Sequence, residues 1–275
     1  MDNALQELSG RFPQLLLPIR KNMCSDPAFI AAVRRGEAVC NPVPFPFSPG
    51  DRLSTADTPA GQAELLYLTE RESFIRAYRA LAYRCEPTEI PDTVGAVTLR
   101  GLVDWGKIRR HRAHYLLAGG ENWAEEFRRF TAEKQNYQST LILLSRGEYS
   151  GVPAQAVGLD RETWLARSLI IRKYHELTHF VCRSLFPDRV DAVRDEVLAD
   201  LIGLVAAFGS YDAALARRFL GVVDGVYCGE GRLSHYAGEN LAEAAACAEK
   251  WIADFARQMK DQPTQDVFKL LLALF

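Results

Sequence analysis

Two short strings hold the residues whose types and spacing can do chemistry, 175-HELTH-179 and 196-EVLAD-200. On an α-helix, residues four apart share one face, so the imidazoles of His175 and His179 can reach a single metal ion together. Glu176 flanks that face, placed to hydrogen-bond a water rather than to ligate. A catalytic zinc takes three protein ligands and keeps one position open. Glu196 and Asp200 are again four apart, so Glu196 can be the third ligand while Asp200 accepts a hydrogen bond from the far nitrogen of a ligand histidine. The chemistry expected of this set is hydrolysis by activated water, with one Zn2+ ion and Glu176 as general base. The competing reading is a buried polar network without metal, a costly arrangement for two histidines and three acids inside apolar helices.

These residues work only if two helices fold back on each other. Asp160 is expected to cap a long helix that reaches Phe186, where Pro187 ends it; Asp188 caps the next, which runs to Phe208 and is closed by Gly209. Leu169, Ile170, Leu177, Val181, Val197, Leu198, Leu201 and Ile202 place the pair in the core. Upstream, Asp26 and Pro27 introduce a short helix over 26–36, and the prolines of 41-NPVPFPFSPGD-51 demand an extended, turn-rich segment. The periodicity of 61–83 predicts one amphipathic helix. The β-branched run 94–102 and 139-STLILLSRG-147 predict strands, the latter ending in the turn 147-GEYSGVP-153; helices are expected over about 106–117 and 121–136, split by Gly119 and Gly120. Shorter helices are expected over 212–220, from Glu239 to Lys260, and from an N-cap at Thr264 to the end. The fold class is therefore mainly α with a small sheet (α+β), organised as an irregular segment over 1–50 and a mainly helical catalytic domain over 51–275, or as one domain throughout.

HELTH followed one helix later by ExxxD resembles the gluzincin branch of zinc metallopeptidases, the thermolysin-like and aminopeptidase-like group. The resemblance implies a zincin-like active-site helix pair, with His175, His179 and Glu196 as zinc ligands, Glu176 as base and Asp200 supporting a histidine. It also implies a peptide or small amide as substrate, laid down by pairing with an upstream edge strand, the role for which 139–147 is the candidate. The metzincin continuation is absent, because 180-FVCRSLF-186 supplies neither the glycine nor the third histidine. Two histidines and a carboxylate also form the facial triad of non-haem iron enzymes, so a metalloenzyme for a small metabolite is an alternative. A non-catalytic binding or regulatory protein on the same scaffold is another.

In 232-RLSHYAGEN-240, His235 and Tyr236 lie in a polar, glycine-flanked loop, where either could donate to the oxyanion of a tetrahedral intermediate; a surface loop with a packed tyrosine is the plainer reading. Cys182 shares a helix face with His175 but lies about 10 Å along the axis, and reads as a core thiol. His111 and His114 read as a solvated helix face, and Arg194 as a partner for Asp191 or Asp195. The formal net charge is -2 and the sequence pI is about 6.2, which gives no global field for gathering nucleic acid or an anionic membrane. The amino-terminal residues lack a basic, apolar leader and no apolar run approaches the roughly 20 residues of a membrane span, so the expected setting is cytoplasmic, without nucleic-acid or membrane partners. The six cysteines have no CxxC pairing and fit reduced, mostly buried thiols.

Overall fold

The computed structural model describes residues 3–189, 191–238, 240–260 and 266–275. The chain divides into two compact units, one made of Met1–Thr55, Glu64–Ile90 and Thr98–Leu143, the other of Ala56–Ala63, Pro91–Val97 and Leu144–Phe275. The architecture is α+β, mainly helical with a small sheet. No helix among the described residues is long and apolar enough to cross a membrane.

The first part of the chain contributes α1 (Asn3–Arg11), α2 (Pro27–Phe29, continued as a π turn to Arg34), β1 (Arg52–Thr58), β2 (Gly61–Leu68), α3 (Arg71–Ala82), β3 (Ala96–Val103), α4 (Trp105–Leu117), α5 (Trp123–Thr131), α6 (Lys134–Tyr137) and β4 (Gln138–Ser145). The expected N-cap at Asp26 is present, its carboxylate accepting from the Ala28 amide. The expected helix over 61–83 is not one helix. Its first third is β2, and only Arg71–Ala82 is helical. The reason lies in the turn before it. The Thr58 hydroxyl donates to the Gly61 carbonyl at 2.6 Å and Gly61 takes φ +102°, which closes a two-residue hairpin between β1 and β2. Sheet pairing then overrides a pattern of Ala63, Leu65, Leu66 and Leu68 that fits a helix equally well. The half-exposed strand β1 leaves no hydropathic trace in the sequence.

Strand order is β1-β2-β4-β3. The expected strands at 94–102 and 139–147 both exist, but β4 lies inside the sheet, as its run of buried residues from Leu141 to Ser145 requires. It is therefore not the edge strand expected at 139–147; the edges of the sheet are β1 and β3. The Ser145 amide donates to Gly95 O at 2.8 Å and the Asp104 amide donates to Tyr137 O at 2.8 Å, so β3 and β4 run antiparallel.

The remaining chain builds α7 (Arg161–Leu185), α8 (Ala192–Phe208), α9 (Ala213–Leu220), the two-stranded ribbon β5 (Val222–Val223) and β6 (Val226–Tyr227), α10 (Leu241–Met259) and α11 (Val267–Leu274). Asp160 caps α7 through the Thr163 amide and Gly209 closes α8 at φ +76°, both as expected. The cap of α8 is Asp191, not Asp188, its carboxylate accepting from the Arg194 amide at 3.0 Å; the turn after Pro187 takes more residues than the earliest possible cap allows. Asp212 caps α9. The expected helix starts at Glu239 and Thr264 fall outside the described residues; α10 is capped by Asn240 and α11 by Asp266. Residues from Glu196 to Val205 are buried without a break, which makes α8 the central helix of its unit. Only Cys85 and Cys182 of the six free thiols are buried, fewer than expected.

In the unit that contains α1, a charged cluster joins distant segments. Arg11 reaches Glu64 at 2.6 Å and Asp104 at 2.8 Å, and the Ser139 hydroxyl donates to Asp104 at 2.9 Å. Burial alone would raise the Asp104 carboxyl, but the Arg11 guanidinium outweighs it and holds the group below the usual carboxylate range. A depressed carboxyl contributes stability that is present above its unfolded pKa and lost as pH falls through the folded one. Asp104→Asn keeps an N-cap for α4 and removes only the charge. It should destabilise the protein by about 1–3 kcal/mol at pH 7, a difference that narrows below about pH 4, as read by urea titration across pH.

Candidate metal centre

The opposition of α7 and α8 can be read off three contacts. His179 and His175 meet Glu196, His175 also meets Asp200, and Gly203 lies against Ile171, so descending numbers on α7 match ascending ones on α8 and the helices are antiparallel. Gly203 is required there, because a Cβ would sit 2.9 Å from the Ile171 carbonyl. The close approach puts polar side chains into a shell formed by Leu177, Val181, Val197 and Leu201, each at most 1% exposed.

His175, His179 and Glu196 come together as a group able to hold a metal ion. His175 Nε2 and His179 Nε2 are 3.1 Å apart, His179 Nε2 is 3.1 Å from Glu196 Oε1, and His175 Nε2 is 3.3 Å from Glu196 Oε2. Ligand atoms at about 2.0–2.1 Å from a tetrahedral zinc stand roughly 3.3 Å from one another; the two imidazole nitrogens are near that spacing, and one ligand atom from each of the three residues lies within 4.8 Å of the others. The donor chemistry fits as well. Glu196 Oε2 is buried and makes no hydrogen bond despite its nearness to His175, as expected when lone pairs aim at a common point rather than at each other.

Asp200 is fully buried and stands against the far nitrogen of His175. His175 Nδ1 lies 3.0 Å from Asp200 Oδ1, which leaves Nε2 turned toward His179 and Glu196. Two residues that spacing did not single out complete the arrangement. The Tyr149 hydroxyl donates to Asp200 Oδ1 at 2.7 Å and stands 2.9 Å from His175 Nδ1. Arg232 places Nη2 2.7 and 2.9 Å from the two Asp200 oxygens and donates through Nη1 to the Ser150 hydroxyl. Arg172 donates to the carbonyls of Gly147 and Glu148, the latter at 2.7 Å, and so ties the turn bearing Tyr149 to α7. Gly95 leaves it room, since a Cβ would fall 2.4 Å from Arg172 Nε. Local pattern offers no signal for Tyr149 or Arg232, which arrive from 51 and 32 residues away from Asp200.

The electrostatics follow from the packing. Burial alone would lower His175, but the carboxylates of Glu196 and Asp200 outweigh it and raise the imidazole to about 9. Burial would raise Glu196 and Asp200; the histidines hold the first well below the ordinary range, and mainly Arg232 holds the second below it. Burial pushes the Tyr149 hydroxyl far up, so it stays a donor.

A cleft of about 60 Å³ opens beside this group, with Tyr149, His175, Glu176, Arg232, His235 and Tyr236 in its wall. Residues 93–96, which lead into the edge strand β3, also line it; His179 and Glu196 do not. His235 is exposed and Tyr236 half-buried, so the loop that carried both candidates brings both to the cleft. Cys182 is a buried thiol, raised to about 12 by burial. Arg194 stacks over Trp251 and Phe275 and donates to the Leu274 carbonyl, with Asp195 4.0 Å away. His114 is exposed as expected; His111, with 32% of its side chain exposed, also stacks on Phe130 at 4.0 Å and meets Glu126 at 2.6 Å.

The chain belongs to a protein family of unknown function, DUF7005, whose model matches residues 1–269. No curated protein and no solved structure matches the chain.

Removing the Asp200 carboxylate would leave Arg232 buried without its counter-ion. Asp200→Ala is expected to cost about 3–5 kcal/mol in urea unfolding with EDTA present. A loss below about 1 kcal/mol would show that Arg232 finds another partner.

Proposed function

We propose that this protein is a metal-dependent hydrolase of gluzincin type, holding one Zn2+ ion through His175, His179 and Glu196 and cleaving a peptide or amide bond. The observation that carries the reading is the convergence of two imidazole nitrogens 3.1 Å apart on one buried carboxylate, with Glu196 Oε1 3.1 Å from His179 Nε2 and Oε2 3.3 Å from His175 Nε2, next to Glu176 in an open cleft. A zinc ion supplies Lewis acidity, acidifying water and polarising a carbonyl. Glu176 accepts the proton of the attacking water on its carboxylate and returns it to the leaving nitrogen. Asp200 and Tyr149 fix the tautomer and orientation of His175. His235 and Tyr236, on the cleft wall, are the donors available to the carbonyl oxygen as negative charge develops on it. Support for a peptide comes from β3, an edge of the sheet whose approach lines the cleft and against which an extended chain can lie.

The small volume of the cleft favours a second reading, a hydrolase for a small amide, or a metalloenzyme that uses iron on a small metabolite. Metal analysis and a cleavage assay separate these. Purified wild type should carry about one zinc per chain, and His179→Ala should carry essentially none. Glu176→Gln should keep the metal and lose cleavage of a complex peptide library by roughly 10²–10⁴-fold. Wild type without metal sinks the proposal. Iron with oxygen-dependent turnover, or zinc with hydrolysis of small amides alone, selects the second reading; full activity in Glu176→Gln removes its role as base.

A further inference from the structure

A cavity of about 660 Å³ lies in the unit that contains α1, within the roughly 300–1,000 Å³ typical of small-molecule sites. Its wall is mostly apolar: Phe29, Leu81, Trp105 and Ile108 are each under a tenth exposed, and Phe127 adds a further aromatic ring to the lining. Trp105 is held in place. Its indole N–H donates to the Val33 carbonyl at 3.0 Å, and its ring fills the space that a Cβ on Gly36 would occupy, 2.2 Å from Cε3. The indole therefore offers the cavity a fixed apolar surface with no donor left to satisfy.

Three polar side chains interrupt that wall. Gln14 is only 5% exposed and its Oε1 has no hydrogen-bond partner, an arrangement that a bound donor would repair. Arg34 and Arg84 are exposed lining residues, and neither forms an ion pair among the described residues. Arg84 is set at this wall by a turn of uncommon conformation: it and Cys85 take φ +54° and +65°, successive left-handed residues that are not glycine. The Cys85 amide bonds to Arg79 O at 3.0 Å, its carbonyl accepts from the Arg20 amide at 3.0 Å, and its thiol reaches Gln14 O at 3.5 Å, which links the turn to the segment bearing Gln14. Such backbone strain persists where the surroundings over-determine it, and ligand clamps are among the places it collects.

We infer that this cavity binds an amphipathic aromatic carboxylate. The carboxylate pairs with Arg34 and Arg84, the ring lies against Trp105 and Phe127, and a ring hydroxyl or N–H donates to Gln14 Oε1. The inference does not rest on the proposed hydrolase, and its test is run with EDTA throughout.

The full chain is titrated calorimetrically with 3-(4-hydroxyphenyl)propionate, 3-phenylpropionate, which lacks the hydroxyl, and 4-ethylphenol, which lacks the carboxylate. The first should bind at least about tenfold more tightly than either of the others. Arg34→Gln with Arg84→Gln should abolish the preference over 4-ethylphenol. Gln14→Leu should abolish the preference over 3-phenylpropionate and leave the unfolding temperature of the unliganded protein unchanged or raised, because it replaces an unpaired buried acceptor with an apolar group of similar size. Equal affinities for the three compounds, or binding of none of them, overturns the inference. A lowered unfolding temperature for unliganded Gln14→Leu does so as well, since it means that Gln14 is already bonded inside the protein.

Discussion

The helix pair α7 and α8 has to accommodate two carboxylates and two imidazoles at its most buried point, and much of the surrounding structure answers that demand. Asp200 cannot be ionised with no solvent access unless a cation faces it, and Arg232 is that cation. Arg232 is in turn delivered by the loop that follows α9 and the β5–β6 ribbon. The loop that delivers it closes on two glycines, Gly221 at φ +73° and Gly231 at φ +94°, whose backbones touch so closely that a Cβ on Gly221 would lie 1.3 Å from the Glu230 carbonyl. The Arg232 amide then bonds to Phe219 O at 3.0 Å and fixes where the guanidinium begins. On the other flank, Ser150 takes the left-handed region at φ +53° to offer its hydroxyl to the same arginine, one residue after Tyr149. One strained residue and one loop closed by two glycines are thus accounted for by one buried charge.

The same demand ranks the contacts around the site. The Arg232–Asp200 pair is buried, with Nη2 shared between both carboxylate oxygens and with Tyr149 and His175 at Oδ1, so both oxygens of the carboxylate are hydrogen-bonded. Glu196 differs, because its Oε2 is left without a hydrogen bond between the two histidines. A fully satisfied carboxylate beside an incompletely satisfied one is the distribution expected if Asp200 serves to position a ligand and Glu196 to be one.

What could be read in the sequence was whatever depended on helix geometry over a few residues. The four-residue spacings of His175 with His179 and of Glu196 with Asp200, the cap at Asp160 and the glycine stop at Gly209 are local rules, and each produces the local structure it encodes. The α8 cap was misplaced by three residues, because aspartates at 188 and 191 both satisfy the capping preference and only the length of the turn decides between them. The failure at 61–68 has a different origin: a run with apolar residues at 63, 65, 66 and 68 fits either period, and pairing in the sheet settled it. Tyr149 and Arg232 were illegible for the most basic reason, since a hydrogen bond across 51 residues or an ion pair across 32 leaves no periodicity behind.

The interior position of β4 also changes how a substrate would have to enter. A strand inside a sheet has both rows of backbone groups engaged and cannot recruit an extended peptide; an edge strand can, and β3 is the edge on that side. The Gly95 carbonyl is committed to Ser145, through both its amide and its hydroxyl, so pairing with β4 begins before β3 itself does. The residues around Gly95 are therefore anchored by the sheet on one side while they line the cleft beside Glu176 on the other. That arrangement couples the register of any chain added to β3 to the position of Glu176. A displacement of Gly95 by even a methyl group would press on Arg172 and, through the carbonyls of Gly147 and Glu148, on the turn that holds Tyr149. The cleft wall and the support of His175 are thus joined through one guanidinium, which gives a physical reason why the residue at 95 has no side chain.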